Sequence, residues 1–181
     1  ALGRLTKSVV TDHKKNEEKT TTTYSYDSAG NRTKKVKGEE EMAYTYNGLN
    51  QLLKAKTTKG DTVKNDISYE YDVNGNQIKE TDKETGDSVE NTYDVENRLS
   101  TVTVTKKSGT SGNETVSLTQ ENLYNGEGQR IQKKEAGEVT NYFYEDGMVS
   151  YTTGADTGEK RIQNLSGLED NVIYAEQKVT G

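Results

Sequence analysis

Apolar and polar positions alternate along this chain, and the apolar ones never run together for long. Ile67, Tyr69 and Tyr71 fall two apart, so in an extended backbone they share one face. Leu99-Ser100-Thr101-Val102-Thr103-Val104 is the clearest run of this kind, and Thr20 to Tyr26 reads as another. Threonine, valine and tyrosine suit a pleated, half-buried surface. Glycine, asparagine and aspartate interrupt these segments, and Lys59-Gly60-Asp61 and Thr85-Gly86-Asp87 carry the chemistry of hairpin tips. The pattern predicts an all-β chain of short antiparallel strands joined by tight turns.

One stretch recurs through the chain. Tyr24-Ser25-Tyr26-Asp27-Ser28-Ala29-Gly30-Asn31-Arg32-Thr33 returns as Tyr69-Glu70-Tyr71-Asp72-Val73-Asn74-Gly75-Asn76-Gln77-Ile78 and as Leu123-Tyr124-Asn125-Gly126-Glu127-Gly128-Gln129-Arg130-Ile131. Between these copies stand Tyr44-Thr45-Tyr46-Asn47-Gly48-Leu49-Asn50-Gln51-Leu52 and Tyr93-Asp94-Val95-Glu96-Asn97-Arg98-Leu99, and Gly3-Arg4-Leu5 is the second half of one more. Counting the second tyrosine as position 1 gives Tyr26, Tyr46, Tyr71, Tyr93 and Tyr124. Position 2 is Asp27, Asn47, Asp72, Asp94 and Asn125, and position 5 is Gly30, Asn50, Gly75, Asn97 and Gly128. Asp or Asn at the first corner of a turn accepts hydrogen bonds from amides further on. Gly and Asn most readily take a left-handed backbone. A type I turn followed by one left-handed residue is a common hairpin connection closed by a bulge. These fifteen residues are therefore assigned structural work in the turns.

The copies alternate between two kinds. After the turn, one kind places its apolar residue one position earlier than the other, as Leu52 and Leu99 against Ile78 and Ile131. One position along a strand is the opposite face, so successive hairpins are expected to turn different faces, with a pair of hairpins as the true unit.

Composition sharpens the picture. Only 28% of residues are hydrophobic and mean hydropathy is −1.06, values at which disorder is the usual outcome. Twelve tyrosines, against one Phe and no Trp, oppose that outcome, because tyrosine supplies broad apolar area with a polar tip. The expectation is a sheet held by tyrosine and threonine ladders in place of a conventional core. With no cysteine, neither a disulfide frame nor a thiolate metal site can form. A net charge of −6 opposes a nucleic-acid partner. No apolar run is long enough to insert into a membrane, and no signal peptide is present. Because the chain opens inside a repeat, it reads as a piece excised from a longer protein.

Candidate chemistry is sparse. His13 is the only histidine, and it stands in the polar turn Asp12-His13-Lys14-Lys15-Asn16 with no partner motif, so it reads as solvated surface. The acids at position 2 are already occupied by their turns, and no carboxylate pair is singled out across a cleft. Asp72-Val73-Asn74-Gly75-Asn76 lacks the alternating ligands and terminal Glu of a calcium loop. Lys34-Lys35-Val36-Lys37 reads as a strand and Gly38-Glu39-Glu40-Glu41 as the turn after it, and the basic run beside the acidic one reads as solvated in preference to paired across strands. The Gly/Ser-rich segment from Lys106 to Glu114 reads as a mobile hairpin tip. No catalytic residue, cofactor or metal is expected, and the chain is not expected to be an enzyme.

Tyr-Asp-x-x-Gly-Asn-Arg-Thr alternating with Tyr-Asn/Asp-x-x-Asn-Arg-Leu resembles the YD repeat, also called the Rhs repeat, from Gly3 to about Tyr144. The resemblance implies β-hairpins strung into an open, twisted and spiralling sheet, a wall segment of a β-shell that encloses a C-terminal toxin in bacterial members. It implies a large secreted or surface polypeptide, partnered by neighbouring repeats and by the toxin cargo. On this reading residues 1–144 are the repeat array and residues 145–181 continue as divergent hairpins, the whole being one repeat domain. Free sheet edges favour edge-to-edge dimerisation. A different class of function is a module that binds carbohydrate or a cell surface through exposed tyrosine rows, with a glycan as partner. Packed tyrosines support the scaffold, and exposed rows support binding.

Overall fold

The computed structural model describes residues 3–12, 18–108, 114–155, 160–166 and 172–177. These form strands and turns with no helix. The strands are β1 (Lys7–Asp12), β2 (Glu18–Tyr26), β3 (Arg32–Lys37), β4 (Glu40–Tyr46), β5 (Leu52–Lys59), β6 (Thr62–Tyr71), β7 (Gln77–Asp82), β8 (Ser88–Tyr93), β9 (Leu99–Ser108), β10 (Glu114–Tyr124), β11 (Arg130–Glu135), β12 (Glu138–Glu145), β13 (Met148–Thr153), β14 (Lys160–Ser166) and β15 (Val172–Gln177). They pair in chain order from β1 to β15 in one open antiparallel sheet. Two compact units divide the chain: Ala1–Val89 with Thr105–Val116, and Glu90–Val104 with Ser117–Gly181.

In the first unit the register carries each face from strand to strand. Tyr24 opposes Lys35, Lys35 opposes Met42, and Met42 opposes Thr57. Two residues along, Tyr44 opposes Ala55, Ala55 opposes Ile67, and Ile67 opposes Asp82. One face thus collects Tyr24, Tyr26, Met42, Tyr44, Tyr46, Ile67, Tyr69 and Tyr71. The other runs Ser25, Lys34, Ala43, Lys56, Asp66 across the same strands and is polar. No hydrophobic side chain among the described residues is fully buried. The tyrosines are half-buried instead, which is what a single-layer sheet with little aliphatic area allows.

Four of the repeat turns are followed by a bulge in one fixed place. Tyr26 opposes Arg32, Tyr46 opposes Leu52, Tyr71 opposes Gln77 and Tyr124 opposes Arg130, with a register shift immediately beyond each pair. In these four turns position 7 faces position 1, and position 8 (Thr33, Leu53, Ile78, Ile131) is the extra residue. This overturns the expectation that successive hairpins turn different faces. Tyrosines of both kinds of repeat share one face, because a two-against-one bulge resets the alternation that a one-residue offset would invert. Two smaller readings also change. Glu40 and Glu41 begin β4, with Lys34 Nζ 2.6 Å from Glu41 Oε2. Lys106 and Lys107 belong to β9, while 109–113 and His13 lie outside the described residues.

Candidate functional site

Within each unit the repeat turns fall on one rim of the sheet, and this rim carries the most regular side-chain chemistry. Every turn is closed by the same two backbone bonds. In one, Gly75 N donates to Asp72 O at 3.1 Å and Asp72 N to Asn76 O at 2.9 Å; in another, Asn97 N donates to Asp94 O at 3.0 Å and Asp94 N to Arg98 O at 2.9 Å. The residue at position 5 takes a positive φ: 98° at Gly30, 90° at Gly75 and 81° at Gly128, but 60° at both Asn50 and Asn97. The asparagines sit in the left-handed well that their side chain tolerates, and the glycines lie beyond it.

Position 2 holds the turn together. Asp72 Oδ1 accepts from Asn74 N and Asn76 N, each at 2.9 Å. Asn47 Oδ1 accepts from Leu49 N and Gln51 N, Asp94 Oδ1 from Glu96 N and Arg98 N, and Asn125 Oδ1 from Glu127 N and Gln129 N. Asp27 Oδ1 accepts from Asn31 N. The second side-chain atom of position 2 then meets the side chain at position 6. Asp27, Asp72 and Asp94 accept there from Asn31, Asn76 and Arg98 at 3.0, 2.9 and 2.7 Å. Asn47 and Asn125 instead donate to Gln51 and Gln129 at 2.6 and 2.8 Å. An acid is matched with a donor, and an amide with a glutamine. Sequence reading missed this pairing, although its signal is visible: across five copies, position 6 changes in step with position 2.

These bonds hold the carboxyls of Asp27 and Asp72 below their ordinary value, the side-chain amides of Asn31 and Asn76 contributing most. Asp94 is lowered chiefly by the Arg98 amide. A carboxyl with a lowered folded pKa adds stability at pH values above its unfolded value, and that stability is lost as pH falls through the folded one. Melting temperature is therefore expected to stay level from pH 7 to about 5 and to drop below about 4, the unfolded aspartate value. The triple variant Asp27→Asn, Asp72→Asn, Asp94→Asn should lie below the parent at pH 7, and the gap should narrow as pH falls through the lowered carboxyl values. A gap unchanged across that range would show that the carboxylates do not brace the turns.

The tyrosines tie one turn to the next. Tyr26 Oη donates to Leu5 O at 2.9 Å, Tyr46 to Arg32 O at 3.0 Å, Tyr71 to Leu52 O at 2.9 Å, Tyr124 to Leu99 O at 2.9 Å and Tyr144 to Arg130 O at 3.0 Å. Every acceptor is the position 7 carbonyl of the repeat before. Burial pushes the Tyr71, Tyr69 and Tyr46 phenols upward, which keeps them as donors. Arginines reinforce the contact. Arg98 at position 6 lies 4.9 Å from the ring centroid of Tyr124 and donates to Asn125 O at 3.1 Å. Arg4 does the same 5.7 Å from Tyr26, donating to Asp27 O at 3.3 Å. At position 7, Arg32 stands between the rings of Tyr24 and Tyr44 at 5.9 and 5.1 Å. Arg130 lies 4.9 Å from Tyr142 and donates to its hydroxyl at 3.2 Å.

No three metal-binding side chains converge among the described residues. A hollow of about 160 Å³ against β6, β7 and β8 is lined by Asp82, Asp87 and Lys106. Its acids are engaged: Asp82 Oδ1 accepts from Asp66 N and Glu84 N, and Asp87 from Lys106 Nζ and Lys107 N. The rim is an apparatus for joining hairpins.

No protein-family model matches the chain. Among curated proteins it is 34% identical over 160 residues to the tRNA nuclease WapA of Bacillus subtilis (strain 168). The tRNA3(Ser)-specific nuclease WapA of Bacillus spizizenii matches equally, and in each case 85% of this chain aligns with 6% of the relative. Among solved structures, 94% of this chain superposes on 10% of a chain in the crystal structure of TcdB2-TccC3-Cdc42, with a TM-score of 0.68 at 16% identity. Repeated turns, open sheet and relatives agree.

The chain belongs to the YD-repeat, or Rhs, family.

The YD array described here spans a small fraction of the curated relatives it matches, and the nuclease activities in their names are those of the whole proteins. No helix among its described residues is long and apolar enough to cross a membrane. In this array the fifteen residues at positions 1, 2 and 5 stand in the rim turns. Their tyrosine rings are half-buried and not an exposed row.

Proposed function

We propose that this YD array is a structural segment of a large secreted or surface polypeptide, contributing wall to a β-shell around a C-terminal toxic domain. Residues 1–144 form the array proper, and residues 145–181 carry the same hairpin path onward. The observation that carries this reading is the repeated hydroxyl bond from position 1 to the preceding position 7 carbonyl. It commits the polar tip of each ring to the neighbouring hairpin, which is what a continuous wall requires. On this reading the segment serves as wall and not as catalyst, and any activity of the longer polypeptide resides elsewhere in it.

The test uses the longer polypeptide. Its C-terminal domain should resist added protease while the array is intact. It should become cleavable when Tyr46, Tyr71 and Tyr124 are all changed to alanine. A C-terminal domain cleaved at the same rate in both would remove the shell function. Saturable binding of the isolated array to glycans, lost in the same triple variant, would favour the carbohydrate-binding module instead.

A further inference from the structure

Along the rim, the side chain at position 6 of one repeat reaches position 5 of the next. Asn31 Nδ2, at position 6, donates to Asn50 Oδ1, at position 5 of the following turn, at 2.8 Å. Arg4 stands over Gly30, where an added Cβ would lie 2.5 Å from Arg4 Nη2. Gln51 stands over Gly75, where an added Cβ would lie 3.4 Å from Gln51 Nε2. Arg4 continues past the glycine to Asp27 O, the position 2 carbonyl of that turn, at 3.3 Å. Arg98 makes the same reach to Asn125 O at 3.1 Å. It passes Gly128 with more room, since a Cβ there would meet nothing within 4 Å among the described residues.

The length of the residue at position 6 goes with the residue at position 5 that follows it. Arg4, Gln51 and Arg98 are long, and the next turns carry Gly30, Gly75 and Gly128. Asn31 and Asn76 are short, and the next turns carry Asn50 and Asn97. A long chain can reach a backbone carbonyl across the space that a missing Cβ leaves. A short one ends sooner and bonds a side chain extended toward it, as Asn31 bonds Asn50. The opposite combinations lose on both counts. A long chain meets the Cβ and carboxamide of an asparagine, and a short one finds no side chain on a glycine.

We propose that position 6 and the next position 5 form a recognition pair that sets the order of repeats in the array, and that the partner each turn accepts is a following turn of the other kind. Gly30 and Gly75 are followed within their own turns by Asn31 and Asn76, and Asn50 and Asn97 by Gln51 and Arg98. Each kind of turn therefore presents the position 6 that fits the other. Discrimination of this sort works by excluding the wrong neighbour as well as binding the right one. It makes a pair of hairpins the unit of the array through contacts along the rim, not through the faces of the sheet. Gly3-Arg4 and Gly128-Gln129 combine glycine with a long chain. Arg4 still meets Gly30, and Gln129 has no position 5 ahead of it, because the next turn, Asp146-Gly147 between β12 and β13, is two residues long. The proposal goes beyond the scaffold reading and does not depend on it, since it concerns order within the array and not what the array surrounds.

The test is a double-substitution cycle in the full chain, read as the urea midpoint. Asn31→Arg is chosen because an arginine at position 6 keeps the bond inside its own turn. Arg98 Nε donates to Asp94 Oδ2 as Asn31 Nδ2 donates to Asp27 Oδ2. The change therefore falls on the forward contact, and the midpoint is expected to drop. Asn50→Gly in the parent is also expected to lower the midpoint, because the bond from Asn31 is lost and glycine is freer in the unfolded chain. In the Asn31→Arg background the same Asn50→Gly change is expected to raise it. That reversal of sign is what a recognition pair produces and what two separate losses do not. The Gln51 junction keeps the rule testable if Asn31→Arg does not fold. There Gly75→Asn should lower the midpoint, and Gln51→Asn should lower it in the parent and raise it beside Gly75→Asn. The proposal is overturned if, in the substituted backgrounds, Asn50→Gly and Gln51→Asn lower the midpoint or leave it unchanged.

Discussion

Tyr71→Ala is expected to lower the unfolding free energy by about 2–4 kcal/mol, and Tyr71→Phe by about 1 kcal/mol. The larger figure follows from ring burial. Complete removal of a buried aromatic costs roughly 3–5 kcal/mol, and Tyr71 is half-buried between its own turn and the preceding hairpin, so the loss falls somewhat below that range. The smaller figure isolates the hydroxyl, which donates to Leu52 O at 2.9 Å. A neutral hydrogen bond adds about 0.5–1.5 kcal/mol net, and here the abandoned carbonyl is left facing a ring edge. Urea denaturation of the three proteins measures both numbers. If Tyr71→Ala unfolded at the parent's midpoint, the ring would not be bracing the hairpins and the reading of the rim as a joint would fail. The same comparison at Tyr46 and Tyr124 should give similar values, because each repeats the bond.

Turns and strands were legible in the sequence because their determinants are local. Asp27, Asn47, Asp72, Asp94 and Asn125 bond amides within four residues, and the alternation of Ile67, Tyr69 and Tyr71 needs only the two-residue period of a strand. The shared face was not legible. It depends on where the bulge falls, and neither Thr33, Leu53, Ile78 nor Ile131 announces itself as an extra residue. An apolar residue in a bulged position looks in sequence like one that has changed sides. The tyrosine acceptors were hidden for a related reason. A backbone carbonyl has no residue identity, so the target of Tyr71 Oη at Leu52 leaves no trace in composition. By contrast, the pairing of position 2 with position 6 was written in side chains. Asn31, Asn76 and Arg98 stand opposite acids while Gln51 and Gln129 stand opposite amides, and comparing the copies column by column would have found it.

Gly30→Ala should be the most costly of the single glycine-to-alanine changes in the turns, at roughly 1–3 kcal/mol. Two causes act together. At φ 98° the backbone lies well beyond the left-handed well near 60°, so a Cβ is strained wherever it points. A Cβ there would also stand 2.5 Å from Arg4 Nη2 and 2.8 Å from its Cζ, so the guanidinium must leave. With it go the approach to the Tyr26 ring and the bond to Asp27 O. Gly38→Ala is the control. Its φ is 59° and no atom lies within 4 Å of the added carbon, so only the ordinary cost of a left-handed alanine remains, about 1 kcal/mol. Arg4→Ala separates the two causes. In that background Gly30→Ala retains its backbone strain and loses the collision, so the effects should be less than additive. Strict additivity would mean that Arg4 does not sit over the turn, and that the contact from position 6 to the next repeat carries no energy.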